Sequence, residues 1–325
     1  MREASITDCL ADLLGGGIVA LPTETVYGLA CLALDDNAVQ KVFDLKGRPS
    51  TNPLIVHVLN IEQAENIAEL NSIAKLLCQE FWPGPLTLIL PKKAVIPEKV
   101  TAGLNTVAIR SPSNPLFRKI LEKADQPLAA PSANRFSKVS ATTPREVMDS
   151  FGEDCPPILD GGKSNIGLES TVLDLTGDTP EILRLGPISK RELEKFLEIE
   201  ILNYSKTKHA NTAQKSPGLS SKHYSPETPI CLYKDVSAIL QVEHWTADDL
   251  IIFPSENLIP SSKLEPATAI AFSVTGEAKE IAHNLYATLN KADRFEKKLM
   301  HMALLEDGGD VAGAVNDRLT RASSS

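Results

Sequence analysis

Residues 46–58 read KGRPSTNPLIVHV, and this stretch decides the fold of the first part of the chain. Its apolar half, Leu54 to Val58, is short and uninterrupted, which predicts a buried strand. Before the strand, a proline turn holds two cations, Lys46 and Arg48. Arginine offers a planar fork and lysine a point charge, and both suit an anion such as phosphate. The alternative is a solvated helix end with favourable macrodipole contacts.

Around this strand, helical and extended patterns alternate through the first 200 residues. The extended segments are IVALP (18–22), LIVHV (54–58), LTLIL (86–90), TVAIR (106–110), PLAAPS (127–132), STVLDL (170–175) and EILRL (181–185). Helical patterns cover residues 5–14, 36–45, 61–80, 114–124 and 188–198. This alternation predicts an α/β domain with a mixed sheet, in which the last two strands form a hairpin.

A change in composition then divides the chain. Residues 203–229 are polar and without periodicity, which is typical of a linker. After it, PICLY, DLIIFP and ATAIAFS predict three strands, residues 278–306 one long amphipathic helix, and AGAVNDRLTRA a final helix. We therefore divide the chain into a first domain (1–200), a linker (201–228) and a small second α/β domain (229–325).

Composition excludes several classes of function. The net charge is −9, and an acidic chain is a poor general binder of nucleic acid. The apolar runs are too short to span a bilayer, so we expect no membrane segment. Glu3 and Asp8 stand where a leader peptide would carry cations. The five scattered cysteines favour reduced thiols, and hence a cytoplasmic protein.

Polar side chains mark the ends of several predicted strands, which is the pattern of a pocket built over a sheet. These side chains are Thr23 and Thr25, Arg110, Ser132 with Asn134 and Ser140, Ser170, and Arg184. Thr23 and Thr25 share one side of an extended chain, and Glu24 faces the other side. The glycines at 15–17 lack phosphate-loop spacing and are read as a helix-to-strand turn. A recognisable catalytic serine set and an HExxH motif are both missing from the sequence.

Together these stretches resemble the Sua5/YrdC/YciO family, in its two-domain Sua5 form. The matching stretches run nearly end to end and keep the family's order. They are LPTETVYGLA (21–30), Lys46-Gly47-Arg48-Pro49 with Asn52, Pro53 and His57, FWPGPLT (81–87), VAIRSP (107–112), APSAN (130–134), ESTVLD (169–174), LRLGPIS (183–189), SPGLSSKHYSP (216–226), NLYATLNKAD and AVNDRLTRAS.

The resemblance implies a fold and an activity. The fold is a twisted open mixed sheet with a large cavity, followed by a small Rossmann-like domain. The activity is that of an L-threonylcarbamoyladenylate synthase, a nucleotidyltransferase that condenses L-threonine, bicarbonate and ATP and releases pyrophosphate. Other proteins then use the product for t6A at position 37 of tRNAs that read ANN codons. Mg²⁺ would be carried by the nucleotide.

The resemblance also assigns roles to residues. Threonine would be held by Thr25, His57, Arg110 and Ser170. ATP would be held by Lys46, Arg48, Asn52, Thr106, Ser132, Asn134, Ser140, Arg184 and Tyr224, with Tyr224 of the linker closing over it. Lys46 and Arg48 are the candidate catalytic residues, because they would neutralise the charge that builds as pyrophosphate leaves.

Two rival functions remain open at this point. One is an RNA-binding module without nucleotidyl transfer, which would also allow weak RNA contact. The negative net charge of the chain disfavours this function. The other is the related carbamoyl-adenylate chemistry of hydrogenase maturation factors. Those proteins carry extra acylphosphatase and zinc-finger regions, and neither region is visible in this sequence.

Overall fold

A mixed sheet forms the first domain of the computed structural model, which describes residues 4–203, 223–262, 264–306 and 309–324. The strands found within these residues are β1 (Val19–Leu21), β2 (Gly28–Leu32), β3 (Ile55–His57), β4 (Leu86–Pro91), β5 (Thr106–Arg110), β6 (Leu128–Ala129), β7 (Thr171–Asp174), β8 (Glu181–Arg184) and β9 (Leu202–Asn203). They lie in the order β1-β2-β6-β3-β5-β4-β7-β8-β9. Both parallel and antiparallel pairs occur, which confirms the predicted mixed sheet.

Eight helices accompany this sheet in the described part of the first domain. They are α1 (Ile6–Leu14), α2 (Asp36–Lys46), α3 (Ile61–Ile67), α4 (Ser72–Phe81), α5 (Glu98–Thr101), α6 (Pro115–Ala124), α7 (Pro144–Phe151) and α8 (Lys190–Leu197). The predicted helix over 61–80 is two helices, because Asn71 caps a new helix by accepting a bond from the Ala74 amide. Asp35, one of two adjacent aspartates that could cap α2, is its N-cap.

The two faces of the sheet have different environments. Because side chains alternate along a strand, Val107 and Ile109 of β5 face one side and Ala108 and Arg110 the other. Val107 and Ile109 belong to the main apolar core under the helices. Ala108 belongs to a small separate cluster on the opposite face, which leaves room there for polar side chains. The sheet therefore separates a packed core from the face that carries Arg110.

The second domain is built on a parallel sheet of four strands among the described residues. The strands are β10 (Ile230–Tyr233), β11 (Asp249–Ser255), β12 (Thr268–Ser273) and β13 (Leu299–Ala303), in the order β10-β13-β11-β12. The helices are α9 (Val236–Leu240), α10 (Ala278–Asp293) and α11 (Asp310–Ala322). All strand pairs are parallel, and so this is a small doubly wound domain.

The prediction of one long helix over 278–306 is wrong. Helix α10 ends at Asp293, and the chain returns as strand β13 between β10 and β11. Met300 and Met302 of β13 are fully buried. A central parallel strand is apolar on both faces, and such a short run cannot be told from a helix by periodicity alone.

The two domains share one apolar cluster. Val26, Val139 and Leu168 of the first domain pack in the same cluster as Leu285 and Tyr286 of α10. Burying such side chains contributes about 1.5–3 kcal/mol each. The second domain is thus packed against the loops that carry the polar residues of the first. None of the helices in the described ranges is long and apolar enough to cross a bilayer.

Candidate active site

A central cavity lies on the sheet face that carries Arg110. Ile55 and His57 line it, whereas Val56 between them points into the main core. The residues that line the central cavity are Thr23, Thr25, Val26, Gly28, Arg48, Ile55, His57, Arg110, Ala130, Pro131, Ser132, Glu169, Ser170, Arg184, His223 and Tyr224. Nine of these are among the residues that the sequence analysis names, eight with a role assigned by the resemblance and Thr23 from the strand-end pattern.

His57 and Arg110 stand side by side, because β3 and β5 run parallel with these two residues in register. Both side chains are buried. Burial, and then the charge of Arg110, lower the pKa of His57 to about 3, so that its imidazole is neutral at pH 7. Its Nδ1 has no hydrogen-bond partner among the described residues. A neutral imidazole beside a cation can accept a hydrogen bond from a ligand.

The loop after β1 supplies the partners of Arg110. The guanidinium donates a 2.9 Å hydrogen bond to the Thr25 hydroxyl and forms a 2.6 Å ion pair with Glu24. The hydroxyls of Thr23 and Thr25 lie 2.8 Å apart, so these two side chains share a side as predicted. Glu24 does not point away from them, because the chain bends after Leu21 instead of continuing as a strand. The loop therefore brings one carboxylate and two hydroxyls to one arginine.

The cationic end of the cavity begins where α2 ends. Gly47 is the C-cap of α2 with φ of +63°, a left-handed conformation that favours glycine and turns the chain sharply. Lys46 is buried, and its ammonium donates to the carbonyl oxygens of Ser132 and Asn134. Burial, and then the charge of Arg48, hold the pKa of Lys46 well below its usual range. A polyanion bound here would relieve this repulsion between two cations.

The proline turn holds Arg48 in place. The Arg48 guanidinium donates to the carbonyl and the side-chain oxygen of Asn52, at 3.1 and 2.6 Å, and to the carbonyl of Pro53 at 2.7 Å. These bonds fix the orientation of the fork before any ligand arrives. Asn52 thus positions Arg48 and does not itself line the cavity.

The neighbouring strands β7 and β8 bring a serine and a third cation to the cavity. Arg184 donates to the Ser170 carbonyl from Nε at 3.1 Å and from a terminal nitrogen at 2.9 Å. That terminal nitrogen also donates to the Ser170 hydroxyl at 3.0 Å. The hydroxyl lies 2.7 Å from the Thr87 hydroxyl. Arg184 and Ser170 are therefore held together where β7 begins and β8 ends.

Two consecutive residues at the end of the linker, His223 and Tyr224, cover the centre of the cavity. Tyr224 is fully buried, and its hydroxyl has no hydrogen-bond partner in the described part of the chain. Its ring stacks on that of Tyr286, with 5.6 Å between the ring centroids. The cavity that remains measures about 50 Å³, which is room for a few water molecules only. Tyr224 and His223 therefore leave little free volume in the central cavity.

His223 lies in a strongly positive environment. Its pKa is held well below its usual range by burial and by the charges of Arg48, Lys46, Arg184 and Arg318, in that order. Three of these cations come from the first domain, and Arg318 comes from helix α11 of the second. A site with this density of buried positive charge suits a polyanionic ligand.

Glu169 joins the two domains at the edge of the cavity. Its carboxylate accepts hydrogen bonds from Ser140 at 2.8 Å, from Tyr286 at 2.7 Å and from Arg318 at 3.3 Å. Burial and the nearby charge of Glu169 raise the pKa of Tyr286 well above its usual range, so the hydroxyl stays a donor. The Arg318 guanidinium also lies 5.5 Å from the centre of the Tyr224 ring. The second domain thus supports both Glu169 and Tyr224.

Some predicted residues lie near the cavity without lining it. Lys46, Asn52, Asn134 and Ser140 act through the hydrogen bonds described above. Thr106 begins β5, half-buried, on the same face as Arg110 and at the strand end nearer the Arg48 loop. Its contact with a nucleotide remains a prediction. The remainder of the predicted lid, residues 204–222, lies outside the described residues.

Sequence reasoning missed four residues of the site. They are Glu169, His223, Tyr286 and Arg318. Glu169 lies in the ESTVLD motif and His223 in the SPGLSSKHYSP motif, so the predicted site residues next to them could have indicated both. Tyr286 and Arg318 lie on amphipathic helices more than 110 residues away from Glu169 in sequence. Only the buried face of each helix could have suggested them.

The geometry defines an α/β enzyme-like domain with a buried cationic cavity that a second domain helps to close. Two family models match the chain. The Sua5/YciO/YrdC model, described as telomere recombination, matches residues 12–186. A model described as the C-terminal domain of threonylcarbamoyl-AMP synthase matches residues 188–324. The chain belongs to the Sua5/YciO/YrdC family, in the two-domain Sua5 form.

Two curated relatives are threonylcarbamoyl-AMP synthases. A threonylcarbamoyl-AMP synthase of Pyrococcus abyssi is 40% identical over 314 residues, which covers 95% of this chain and 91% of that protein. A threonylcarbamoyl-AMP synthase of Bacillus subtilis is 42% identical over 234 residues, covering 71% and 67% respectively. The similarity to the first relative therefore includes both domains.

Solved structures agree with the fold. The crystal structure of P. abyssi Sua5 complexed with L-threonine superposes with a TM-score of 0.87 and 36% identity, covering 98% of this chain and 94% of that one. A full-length HypF structure in its phosphate- and nucleotide-bound form gives 0.50 with 21% identity, and covers 56% of this chain and 29% of that one. That second likeness concerns the fold alone.

Proposed function

We propose that the protein is a threonylcarbamoyl-AMP synthase, which condenses L-threonine, bicarbonate and ATP into threonylcarbamoyl-adenylate and pyrophosphate. The observation that carries this proposal is the division of the central cavity into two ends. At one end the Arg110 fork stands beside the neutral His57. At the other end Lys46 and Arg48 lie close enough to lower the pKa of Lys46. An amino acid and a polyphosphate fit these two ends.

Threonine binds at the end that carries Arg110. The guanidinium matches the substrate carboxylate in a bidentate arrangement. Glu24, which is paired with Arg110 at 2.6 Å, keeps this cation oriented in the protein without substrate. Thr25, His57 and Ser170 surround the same end and provide hydroxyl and imidazole groups for the polar atoms of the amino acid.

The nucleotide binds at the end that carries Arg48. Arg48 lines this end of the cavity, Asn52 holds it in place, and Lys46 lies beside it without lining the cavity. Arg184 is the third cation of the nucleotide site, and its guanidinium is bonded to Ser170 near the threonine end. The remaining residues of the nucleotide site are Thr106, Ser132, Asn134, Ser140 and Tyr224. Mg²⁺ would arrive with the nucleotide, and it would neutralise part of the phosphate charge beside Lys46 and Arg48.

The reaction then proceeds by positioning and electrostatic stabilisation. Bicarbonate loses hydroxide to become CO₂, and the neutral threonine amine attacks the carbon of this CO₂. The proton that the nitrogen then loses combines with the hydroxide as water, which leaves a carbamate. A carbamate oxygen attacks the α-phosphorus, and the bond from that phosphorus to the bridging oxygen breaks, so that pyrophosphate leaves with the bond electrons. Lys46 and Arg48 stabilise the charge that develops on the departing phosphates. Tyr224 excludes water from the labile adenylate.

The product is an activated threonylcarbamoyl group, which needs an acceptor. We propose that it serves t6A formation at position 37 of tRNAs that read ANN codons, through separate transferase proteins in the cytoplasm. RNA binding without nucleotidyl transfer is the second candidate function. It rests on the shared fold alone, whereas the acidic balance of −9 opposes it.

Incorporation of labelled bicarbonate tests the proposal. The protein is incubated with ATP, Mg²⁺, L-threonine and ¹⁴C-bicarbonate, and the products are separated rapidly by chromatography. We expect one labelled species that contains adenosine and threonine and that disappears when any of the three substrates is omitted. Labelled product without threonine would assign another acceptor. The absence of labelled product from a protein that still binds ATP would overturn the synthase function and favour the RNA-binding module.

A further inference from the structure

A second cavity, of about 600 Å³, lies in the C-terminal domain. Each of the four parallel strands contributes to it with the segment that follows its carboxyl end. These segments are 236–240 after β10, 254–258 at the end of β11, 275–281 after β12, and 304–306 with Ala312 after β13. Ligands of open parallel sheets bind outside the carboxyl ends of the strands, and the volume falls in the range of small-molecule sites. We call this cavity the C-terminal cleft.

The walls of the C-terminal cleft are apolar and partly open to solvent. They are formed by Val236, Leu240, Leu258, Ile281, Leu304 and Leu305. Leu240 and Leu258 line the cleft and are also exposed to solvent, at 46% and 43% of their surface. Leucines exposed together at the mouth of a cavity are typical of a surface that a ligand covers.

A serine that is almost completely buried directs its hydroxyl into the cleft, where no described residue bonds it. Ser255 is only 5% exposed and lines the cleft, and its hydroxyl makes no hydrogen bond to any described residue. The adjacent hydroxyl differs, because Ser273 donates to the Pro254 carbonyl at 2.9 Å and accepts from the Gly276 amide at 2.8 Å. Because Ser255 lines the open cleft, its hydroxyl is accessible from the cleft and can bond a polar group of a ligand.

The charges around the cleft are negative. Glu277 and Glu306 line it, and neither forms an ion pair within the part of the chain that the structure describes. The described lining residues include no lysine, arginine or histidine. Among the charged side chains that line the cleft in the described residues, a phosphate or a carboxylate would meet only like charge. A protonated nitrogen would meet two carboxylates and several hydroxyl groups.

The start of helix α10 does not change this balance. A helix N-terminus attracts anions, but the Glu280 carboxylate already accepts hydrogen bonds from the amides of Val274 and Thr275 and from the Thr275 hydroxyl. Any anion at this helix start would lie next to Glu277 and Glu280. The carboxylates thus determine the sign of the ligand.

We propose that the C-terminal cleft binds an organic cation with an apolar body and a protonated nitrogen. The apolar body lies against the leucines, the nitrogen binds the carboxylates of Glu277 and Glu306, and Ser255 bonds the polar end. The cleft also touches Ile281 of α10 and Ala312 of α11. Tyr286 and Arg318, which hold Glu169, lie further along the same two helices. A ligand here therefore contacts both helices that support the central cavity.

Three probes with one body and different charges test the proposal. They are 4-phenylbutylamine, 4-phenylbutanol and 4-phenylbutyrate, titrated into the full-length protein with ¹³C-labelled leucine and isoleucine methyl groups. We expect saturable shifts of the Ile281, Leu304 and Leu305 methyl signals with the amine, weaker binding of the alcohol and none of the carboxylate. The Glu277→Gln and Glu306→Gln variants should each weaken amine binding by about fivefold.

Glu243→Gln is the matched control, because Glu243 is an exposed glutamate of the same domain that does not line the cleft. This variant should bind the amine like the wild type. The proposal is overturned by equal binding of all three probes, by stronger shifts with 4-phenylbutyrate than with the amine, or by no saturable shift with the amine. Unchanged amine affinity in both cleft glutamate variants would also overturn it.

Discussion

The Tyr286 hydroxyl donates a 2.7 Å hydrogen bond to the Glu169 carboxylate, and this bond joins the C-terminal domain to the edge of the central cavity. The same tyrosine ring supports Tyr224 by stacking. Arg318 makes a second connection to both residues. The C-terminal domain is thus part of the architecture of the site, although every residue predicted from the strand ends lies in the first domain.

Removal of the Tyr286 hydroxyl tests this connection. In Tyr286→Phe the ring stack remains, but Glu169 loses a donor while it stays buried. We expect the free energy of unfolding to fall by about 1–2 kcal/mol. We also expect a rate of pyrophosphate release about tenfold lower, the equivalent of about 1.4 kcal/mol. Urea denaturation and a coupled pyrophosphate assay measure the two effects.

Tyr233→Phe is the control for that experiment. It removes a hydroxyl that lies 3.0 Å from His301 in the same domain, outside the central cavity. Its stability should fall by a similar amount while the activity is retained. Equal losses of activity in both variants would mean that Tyr286 acts only through the stability of its domain.

Arg318 neutralises the buried carboxylate of Glu169. This arginine is fully buried and pairs with Glu169 and Asp317. Arg318→Met leaves a buried carboxylate without its cation, and so the free energy of unfolding should fall by about 3–5 kcal/mol. Arg294→Met removes an exposed ion pair with Asp149 between the same two domains, and should cost less than about 1 kcal/mol. Similar losses in urea denaturation of the two variants would contradict the account of the Glu169 network.

Tyr224→Phe separates stability from function. The hydroxyl of Tyr224 is buried without a hydrogen-bond partner among the described residues, so its removal relieves an unfavourable group. The free energy of unfolding should stay the same or rise by up to about 1 kcal/mol in the protein without ligand. If the hydroxyl binds ATP, the KM for ATP should increase at the same time. A clear loss of stability with an unchanged KM would contradict this role.

Acid should destabilise the protein through His57. Its pKa is about 3 in the folded protein and near 6.5 when unfolded, so the unfolded chain binds more protons between these values. The contribution of the neutral His57 to the free energy of unfolding is therefore fully present above pH 6.5 and is lost as the pH falls toward 3. Between pH 7 and pH 5 this histidine contributes about 2 kcal/mol of the loss.

The pH effect is measured by urea denaturation of His57→Gln at both pH values. The wild type should lose about 2 kcal/mol more than this variant between pH 7 and pH 5. His244→Gln, which changes an exposed histidine, should follow the wild type. Identical losses in the wild type and His57→Gln would show that the imidazole is not kept neutral by burial.

The catalytic half of the molecule could be predicted from sequence because its chemistry lies at strand ends. Arg110 ends β5 and Arg184 ends β8, and both positions follow from short apolar runs. Strand β13 could not be predicted, since LMHMA follows directly on helix-forming residues and its strand character comes from pairing with β10 and β11. Pairing between segments distant in sequence leaves no local pattern.

The sequence also could not predict that the second domain supports the site. Arg318 and Tyr286 read as ordinary members of amphipathic helices. Their function depends on which way each helix faces once the domains pack together. The predicted separation of Thr25 from Glu24 failed because the chain bends after Leu21, so that both side chains contact Arg110.

Pyrophosphate release is the most direct test of the central claim. It is measured with ATP, Mg²⁺, bicarbonate and L-threonine for the wild type, for Lys46→Ala and for Lys41→Ala. Lys41 lies on the same helix as Lys46 but is exposed and bonds the Gly16 carbonyl, so it is the matched control. We predict release that requires both threonine and bicarbonate, that is lost in Lys46→Ala and that persists in Lys41→Ala. Release that is independent of threonine, or equal in all three proteins, would contradict the account.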